Sequence, residues 1–389
     1  MLKKLAFPRS TGGGSNEGAD ITEEATGIFK AALEGNTNKV REYISKQPRS
    51  VQSTDRDLGW TVLHFAAYGG HDGAVRLLLS RNANIHAKSD FGDTPLALAA
   101  GQGRLSVVQI LLAALGPGSA SIRHHGPLLA AAQCERNAGA DVIKALLRAG
   151  SDIRVVNKEG RGVLHVALAG EGFNRHVLQA LINERAEVDA VDGDGCTPLH
   201  LAVMHGYVEA ATMLLEAGAD VSIADNAGWT ALMCAAFQGY VSIVKLLLKH
   251  KAPVRAPRSI LNNALQSAAA RGSTRAVIAL LDSGVDVNLA GGKYGNALQA
   301  AAFRGRLHTV RNLVMRGAEI DQPGGKFESA IKAAEARRHR AVAEWLRNYE
   351  KGLISWQGDK EVNKATGKTA KVSTKDDEDG SDDNIDDFK

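Results

Sequence analysis

The chain has 389 residues, of which 44% are apolar, 23% charged and only 5% aromatic, with a net charge of +4. That balance is of a soluble chain, and no apolar run approaches the roughly 20 residues of a membrane span. Three cysteines, Cys134, Cys196 and Cys234, make no disulfide framework and point to a reducing compartment, cytoplasmic or nuclear.

Residues 1–20 open with Met1-Leu2-Lys3-Lys4-Leu5-Ala6-Phe7 and continue into a Gly/Ser/Asn stretch. The apolar residues are too few for a secretory core, so a disordered leader is expected. From residue 21 one pattern recurs, clearest in Gly195-Cys196-Thr197-Pro198-Leu199-His200-Leu201-Ala202. Taking the leucine after Thr-Pro as a register mark, equivalents fall at Ile28, Leu63, Leu96, Leu128, Leu164, Leu199, Leu232, Leu265, Leu298 and Ile331. The period is about 33 residues, the length of one supersecondary unit. An alanine stands three residues after every mark, from Ala31 to Ala334, and leaves room for the next unit to pack closely. A second apolar run follows, as in Val75-Arg76-Leu77-Leu78-Leu79, and reads as the buried stripe of a second helix.

The punctuation has the same period. Thr197 is placed to cap the first helix, and Pro198 suits its first turn, where a missing N–H costs nothing. Gly116, Gly150, Gly218, Gly284 and Gly317 end the second helix in the left-handed conformation. Asn82 replaces that glycine in the second unit, the next most tolerant choice, whereas Arg185 and Lys251 replace it in the fifth and seventh, and looser or strained turns are expected at those two. The prediction is an all-α solenoid of about ten helix-turn-helix units with hairpin loops over residues 21–356, stabilised unit by unit.

The units differ in role. Residues 21–57, with polar side chains interleaved among Ile28, Val40 and Ile44, read as an N-terminal cap. Irregular spacing near 113–140 reads as a joint, a kink or simple drift, and units over 158–325 as the rigid part. The last unit, 326–350, reads as the C-terminal cap, with Trp356 packing back on it. From 357 the apolar periodicity is lost. Residues 357–389 carry six lysines and ten acidic residues, net −4, leaving +8 for the rest, and a disordered tail is expected.

These motifs, above all Thr94-Pro95-Leu96, Thr197-Pro198-Leu199-His200 and Thr230-Ala231-Leu232-Met233, resemble the ankyrin-repeat family. Later copies, Asn263-Ala264-Leu265-Gln266 and Asn296-Ala297-Leu298-Gln299 behind Tyr294-Gly295, are similar to ankyrin arrays of fungal receptor-type proteins. The resemblance implies a curved stack of helix pairs used for protein recognition, with no chemistry and no cofactor of its own.

Positions that repeat architecture leaves free are candidates for binding. They lie on the loop fingers, three residues before the mark, and on the first helix, five and six after it. They give Trp60 and Tyr68 as one cluster, and Met204, His205, Trp229, Phe237, Gln238, Phe303 and Arg304 as another. Exposed aromatic, methionine and arginine side chains are typical of interface centres; the competing reading packs these aromatics against neighbouring fingers. Arg271, Arg275, Arg306, Arg337, Arg338 and Arg340 form, with Arg304, a basic edge at helix-to-helix turns. A solvated face explains it equally well; an acidic partner, nucleic acid or the chain's own tail are the functional options. No catalytic or metal-ligating constellation is present, and His64, His165 and His200 stand at the repeat's own histidine position. The expectation is a monomeric, non-catalytic adaptor that binds another protein, without membrane association. Nucleic-acid or chromatin binding ranks second, and the recognition portion of a larger receptor or enzyme third.

Overall fold

Each register residue lies in the first turn of a short inner helix. In the computed structural model, which describes residues 27–116, 119, 125–170, 172–254, 263–292, 294–357, 360–364 and 366–371, nine of the ten marks are buried, and Ile331 in the last pair is half-buried. The alanines three residues on are buried throughout, from Ala31 to Ala334. With no side chain beyond Cβ, they let adjacent helices approach closely.

Among the described residues there are 20 α-helices and one 3-10 helix, Pro48–Gln52, and the chain divides into two compact units, Met1–Val155 and Val156–Lys389. The first unit contains α1 (27–33), α2 (Thr37–Lys46), α3 (Val62–Gly69), α4 (Asp72–Ser80), α5 (Pro95–Gly101), α6 (Leu105–Leu115), α7 (His125–Ala132) and α8 (Gly139–Arg148). Helices α3, α5 and α7 pack side by side as an inner layer, and α2, α4, α6 and α8 as an outer one. The division falls past the 113–140 stretch in which the sequence placed a joint, part of which lies outside the described residues.

The second unit repeats the scheme with α9 (Val163–Leu168), α10 (Arg175–Asn183), α11 (Pro198–Met204), α12 (Val208–Glu216), α13 (Ala231–Gln238), α14 (Val241–Lys249), α15 (Ala264–Arg271), α16 (Thr274–Asp282), α17 (Ala297–Phe303), α18 (Leu307–Met315), α19 (Ala330–Ala336) and α20 (Arg340–Glu350). Odd-numbered helices form the inner layer and even-numbered ones the outer. Leu214, Leu247, Leu280 and Leu313 fill the outer layer, and Thr274 and Thr309 share a buried hydrogen bond of 2.8 Å between α16 and α18.

Local chemistry sets the helix ends. Thr61, Thr94, Thr197 and Thr230 cap their helices by accepting the backbone N–H three residues on, and Asn263, Asn296 and Ser329 do the same in the later units. Asn82, Arg185 and Lys251 do hold the left-handed turn, at φ of 59°, 62° and 61°. Asparagine tolerates that region, but arginine and lysine reach it only at a cost of about 1–2 kcal/mol, so the turns at Arg185 and Lys251 are strained rather than loose.

The histidine position ties one unit to the next. His64, His165 and His200 each place Nε2 at 2.8–3.0 Å from a carbonyl of the following finger, on Asp93, Cys196 and Trp229 respectively. The Nδ1 of each accepts a backbone N–H, from Thr61, Gly162 and Thr197. Nε2 therefore carries the proton, and burial holds all three imidazoles below their ordinary pKa, hence neutral. In the later units the amide of Gln266 donates to Gly291 O and Gly295 O, and that of Gln299 to Gln322 O. Glutamine thus reproduces the donor of histidine, which accounts for the altered tetrapeptide.

The expected disordered tail from 357 is corrected in its first part. Strands β1 (Ile354–Gln357), β2 (Lys360–Asn363) and β3 (Lys368–Lys371) form an antiparallel meander in the order β1-β2-β3. It packs on α20. Trp345 Nε1 donates to Glu361 Oε1 at 3.1 Å, and Arg311 Nε lies 3.2 Å from Glu361 Oε2. Trp356 does pack back, its ring 6.4 Å from those of both Trp345 and Tyr349. The buried carboxylate of Glu361 anchors a segment that has too few apolar residues to announce itself. The leader and the acidic stretch beyond Lys371 lie outside the described residues.

Candidate functional site

The candidate residues of the second unit sit on fingers and at the ends of inner helices, and the fingers are rigid for local reasons. Asp225 Oδ1 accepts the N–H groups of Ala227 and Trp229 at 2.9 and 2.8 Å, closing the finger into a tight turn. A β-bridge between Ala224 and Thr230 completes it. Trp229 O accepts from Asp225 N–H at 2.8 Å and from His200 Nε2. The half-buried indole of Trp229 therefore starts from a fixed backbone, and it meets Phe237 edge-on at 5.6 Å. The Arg271 guanidinium covers the Phe237 ring at 5.6 Å.

Beside this pair, Met204 is 47% exposed at the end of α11. His205 is exposed; its Nδ1 lies 2.9 Å from Leu201 O, and its ring stacks on Tyr207 at 5.3 Å. Gln238 is exposed at the end of α13. Further along the unit, Phe303 stands between Tyr294 and Phe327, with ring centroids 5.2 Å away on each side, and Arg337 lies 4.8 Å above it. Tyr294 is 1% exposed and builds a small aromatic core there. In the sequence Tyr294 stands out only through the family resemblance. Its place directly before a finger glycine, two residues ahead of the capping Asn296, is the signal that it fills the finger's base.

Two placements differ from expectation. Trp60 is 3% exposed, wedged against Phe65 at 5.1 Å and Tyr68 at 5.3 Å, so it is core rather than contact surface. Its partner Tyr68 is half-buried. Arg306 is 6% exposed and leaves the basic edge. Arg304 is half-buried, with Nε and Nη2 inside, and Arg271 is also half-buried. Arg275, Arg337, Arg338 and Arg340 are exposed. The basic edge is thus part solvated and part built into the packing.

The three thiols, one buried and two half-buried, are quiet. Burial, then Asp192 and Asp225, push the Cys196 thiol up to about 12, and burial raises Cys134 and Cys234 as well. A thiolate, the reactive form, is thereby suppressed. Among the described residues no group of three or more His, Cys, Asp or Glu side chains could hold a metal ion, and no helix is long and apolar enough to cross a membrane.

A family model described as ankyrin repeats in three copies matches residues 28–121, 128–225, 173–258 and 217–291, more than half of the chain. The chain belongs to the ankyrin-repeat family. Ankyrin repeats are general protein-interaction modules, and the relatives of this ankyrin-repeat chain are varied. It is 36% identical over 100 residues to a transient receptor potential cation channel subfamily A member 1 homolog of Caenorhabditis elegans, covering 25% of this chain and 8% of the relative. It is 34% identical over 165 residues to the nuclear factor NF-kappa-B p105 subunit of Gallus gallus, covering 42% and 17%. It is 28% identical over 201 residues to a probable E3 ubiquitin-protein ligase, XBOS32, of Oryza sativa subsp. japonica, covering 49% and 37%. In each case the chain spans well under half the length of the relative.

Proposed function

We propose that this ankyrin-repeat chain is a non-catalytic adaptor that holds a protein partner against the fingers and inner-helix ends of its second unit, centred on Met204, His205, Trp229, Phe237 and Gln238. The observation that carries the reading is the Trp229–Phe237 pair: two half-buried aromatics on a backbone fixed by Asp225 and His200, beside an exposed methionine. Preordered aromatic side chains lose little entropy on binding, which is why they dominate interface energetics. Phe303 and Arg304 extend the surface, and Tyr68 stands as a lesser contact on the first unit. The cytoplasm or nucleus fits the reduced, thiol-bearing chain.

The test is capture from cell lysate by the intact chain and by a Trp229→Ala, Phe237→Ala variant, with circular dichroism to confirm equal helix content. A protein retained by the first and lost, at least tenfold, from the second supports the reading. A set of captured proteins identical for both overturns it. The exposed arginines Arg275, Arg337, Arg338 and Arg340 favour nucleic acid as the second reading. Capture that survives the double substitution but falls steeply between 50 and 200 mM salt would select it, because phosphate contacts release counterions.

A further inference from the structure

The tips of the first two fingers differ from the rest. Five residues before the register mark, Leu58 and Phe91 stand where the later described fingers carry Glu159, Asp194, Ala227 and Lys326. Turn tips favour small and polar residues, yet Phe91 is 73% exposed, more open than any other large apolar side chain among the described residues. The tip is open but not loose. Ser89 Oγ accepts the N–H groups of Phe91 and Asp93 at 3.2 and 3.0 Å, and Gly92 N–H donates to Ser89 O at 2.9 Å. Asp90 N–H donates to Leu58 O at 3.0 Å and so clips the two tips together. Asp55 Oδ2 holds the Leu58 N–H at 3.1 Å. An exposed ring on a fixed backbone, beside a half-buried leucine, loses little freedom when it is covered. The setting is acidic: residues 54–61 and 88–94 hold Asp55, Asp57, Asp90 and Asp93 against Arg56 and Lys88, four negative charges and two positive, net −2.

An apolar pair in an acidic setting takes an apolar segment that carries positive charge. Residues 1–16 of this chain hold Leu2, Leu5 and Phe7 together with Lys3, Lys4 and Arg9, and no acidic residue. Residues 8–26 separate that segment from α1, a length of chain that spans up to roughly 60 Å. The path required is much shorter. Helices α1 and α3 meet through Phe29 and Phe65, and α3 packs on α5. At about 10 Å per helix step and about 3.3 Å per residue along a finger, the tips stand roughly 20–25 Å from residue 27. We infer that the Leu58–Phe91 fingertips are a docking site for a basic, apolar segment, and that residues 2–9 of the same chain are its occupant. Tethering on this scale supplies the segment at about 1 mM, so a site with a dissociation constant of about 0.1 mM is about nine-tenths filled. An outside ligand of the same chemistry then binds about tenfold more weakly than the bare site allows. The fingertips belong to the first unit and do not depend on the partner surface proposed above.

The experiment measures fluorescence polarisation of a labelled peptide of residues 1–16 against full-length proteins. Wild type is compared with a leader variant, Leu2→Ser, Leu5→Ser, Phe7→Ser, which keeps every charge, and with the same variant carrying Phe91→Ser as well. The leader variant should bind the peptide about tenfold more tightly than wild type, because its own segment no longer fills the site. Adding Phe91→Ser should remove that gain; the ring is exposed, so the fold stays intact, and circular dichroism checks it. A peptide with Lys3→Glu and Lys4→Glu should bind the leader variant about tenfold more weakly than the natural peptide does. Equal binding by wild type and the leader variant, or by the leader variant with and without Phe91→Ser, overturns the inference. A scrambled peptide of the same composition that binds as well as the natural one replaces it with a non-specific acidic surface. Wild-type protein that sediments as a dimer, and as a monomer once Phe91→Ser is introduced, assigns the fingertips to a second copy instead. The Trp229→Ala, Phe237→Ala capture assay stands or falls separately.

Discussion

His200 couples the fold to pH in a direction set by its hydrogen bonds. The side chain is 1% exposed; Nδ1 accepts the Thr197 N–H at 3.2 Å and Nε2 donates to Trp229 O at 3.0 Å. A second proton on Nδ1 would face an N–H donor inside the protein. Burial lowers the pKa more than Asp225 and Asp192 raise it. Above about pH 6.5 the imidazole is neutral folded or unfolded, and pH does not act through it. Below that, the unfolded chain takes up a proton that the folded chain refuses. Stability then falls with acidification, at most by about 1.4 kcal/mol per pH unit for one histidine, until the folded state protonates too. His200→Gln keeps the donor, as Gln266 and Gln299 do naturally, and removes the titration. It should cost about 1 kcal/mol at pH 7.5 through the lost acceptor for Thr197 N–H. Between pH 6.5 and 5.5 the variant should lose less stability than wild type, by up to about 1.4 kcal/mol. Urea unfolding followed by circular dichroism at pH 7.5, 6.5 and 5.5 measures both effects. Identical pH dependence in variant and wild type would refute the neutral, buried imidazole.

Gly295 has φ of 88°, and a Cβ there would lie 2.5 Å from the backbone of Gly324 in the next finger. Gly295→Ala should cost about 2–5 kcal/mol from the left-handed backbone and the overpacking together; a thermal melt showing under 1 kcal/mol would mean the fingers do not approach that closely. Arg185, exposed and at φ of 62°, presents the opposite case. Arg185→Gly should stabilise by about 1 kcal/mol, since relief of strain exceeds the added freedom of the unfolded chain, and a lowered urea midpoint would count against it.

Most of the repeat fold is legible in the sequence because each rule acts within one unit. A threonine caps the helix that begins next to it, a glycine or asparagine ends the helix just before it, and the alanine after each mark has the same neighbour in every repeat. The candidate site is legible only in part because exposure depends on what the neighbouring units bring. Trp60 and Trp229 hold the same register position. Phe65 and Tyr68 close over the first, whereas the second meets Phe237 and stays half open. Arg306 occupies a turn that looks solvated from spacing, and packing buries it. The meander escapes detection for another reason. Its order rests on two contacts far apart in sequence, Trp345 and Arg311 with Glu361, and not on a pattern within residues 354–371.

That meander also sets a clock on synthesis. Helix α20 can pack its inner side on α18 and α19 as soon as Glu350 leaves the ribosome, but the surface carrying Trp345 and Tyr349 waits for Trp356 and Glu361, and for β3 to close the sheet at Lys371. At translation rates of about 5–20 residues per second, the last repeat spends roughly 1–4 s with that aromatic surface uncovered. During those seconds the aromatic surface of the last repeat is open to chaperones and to neighbouring nascent chains.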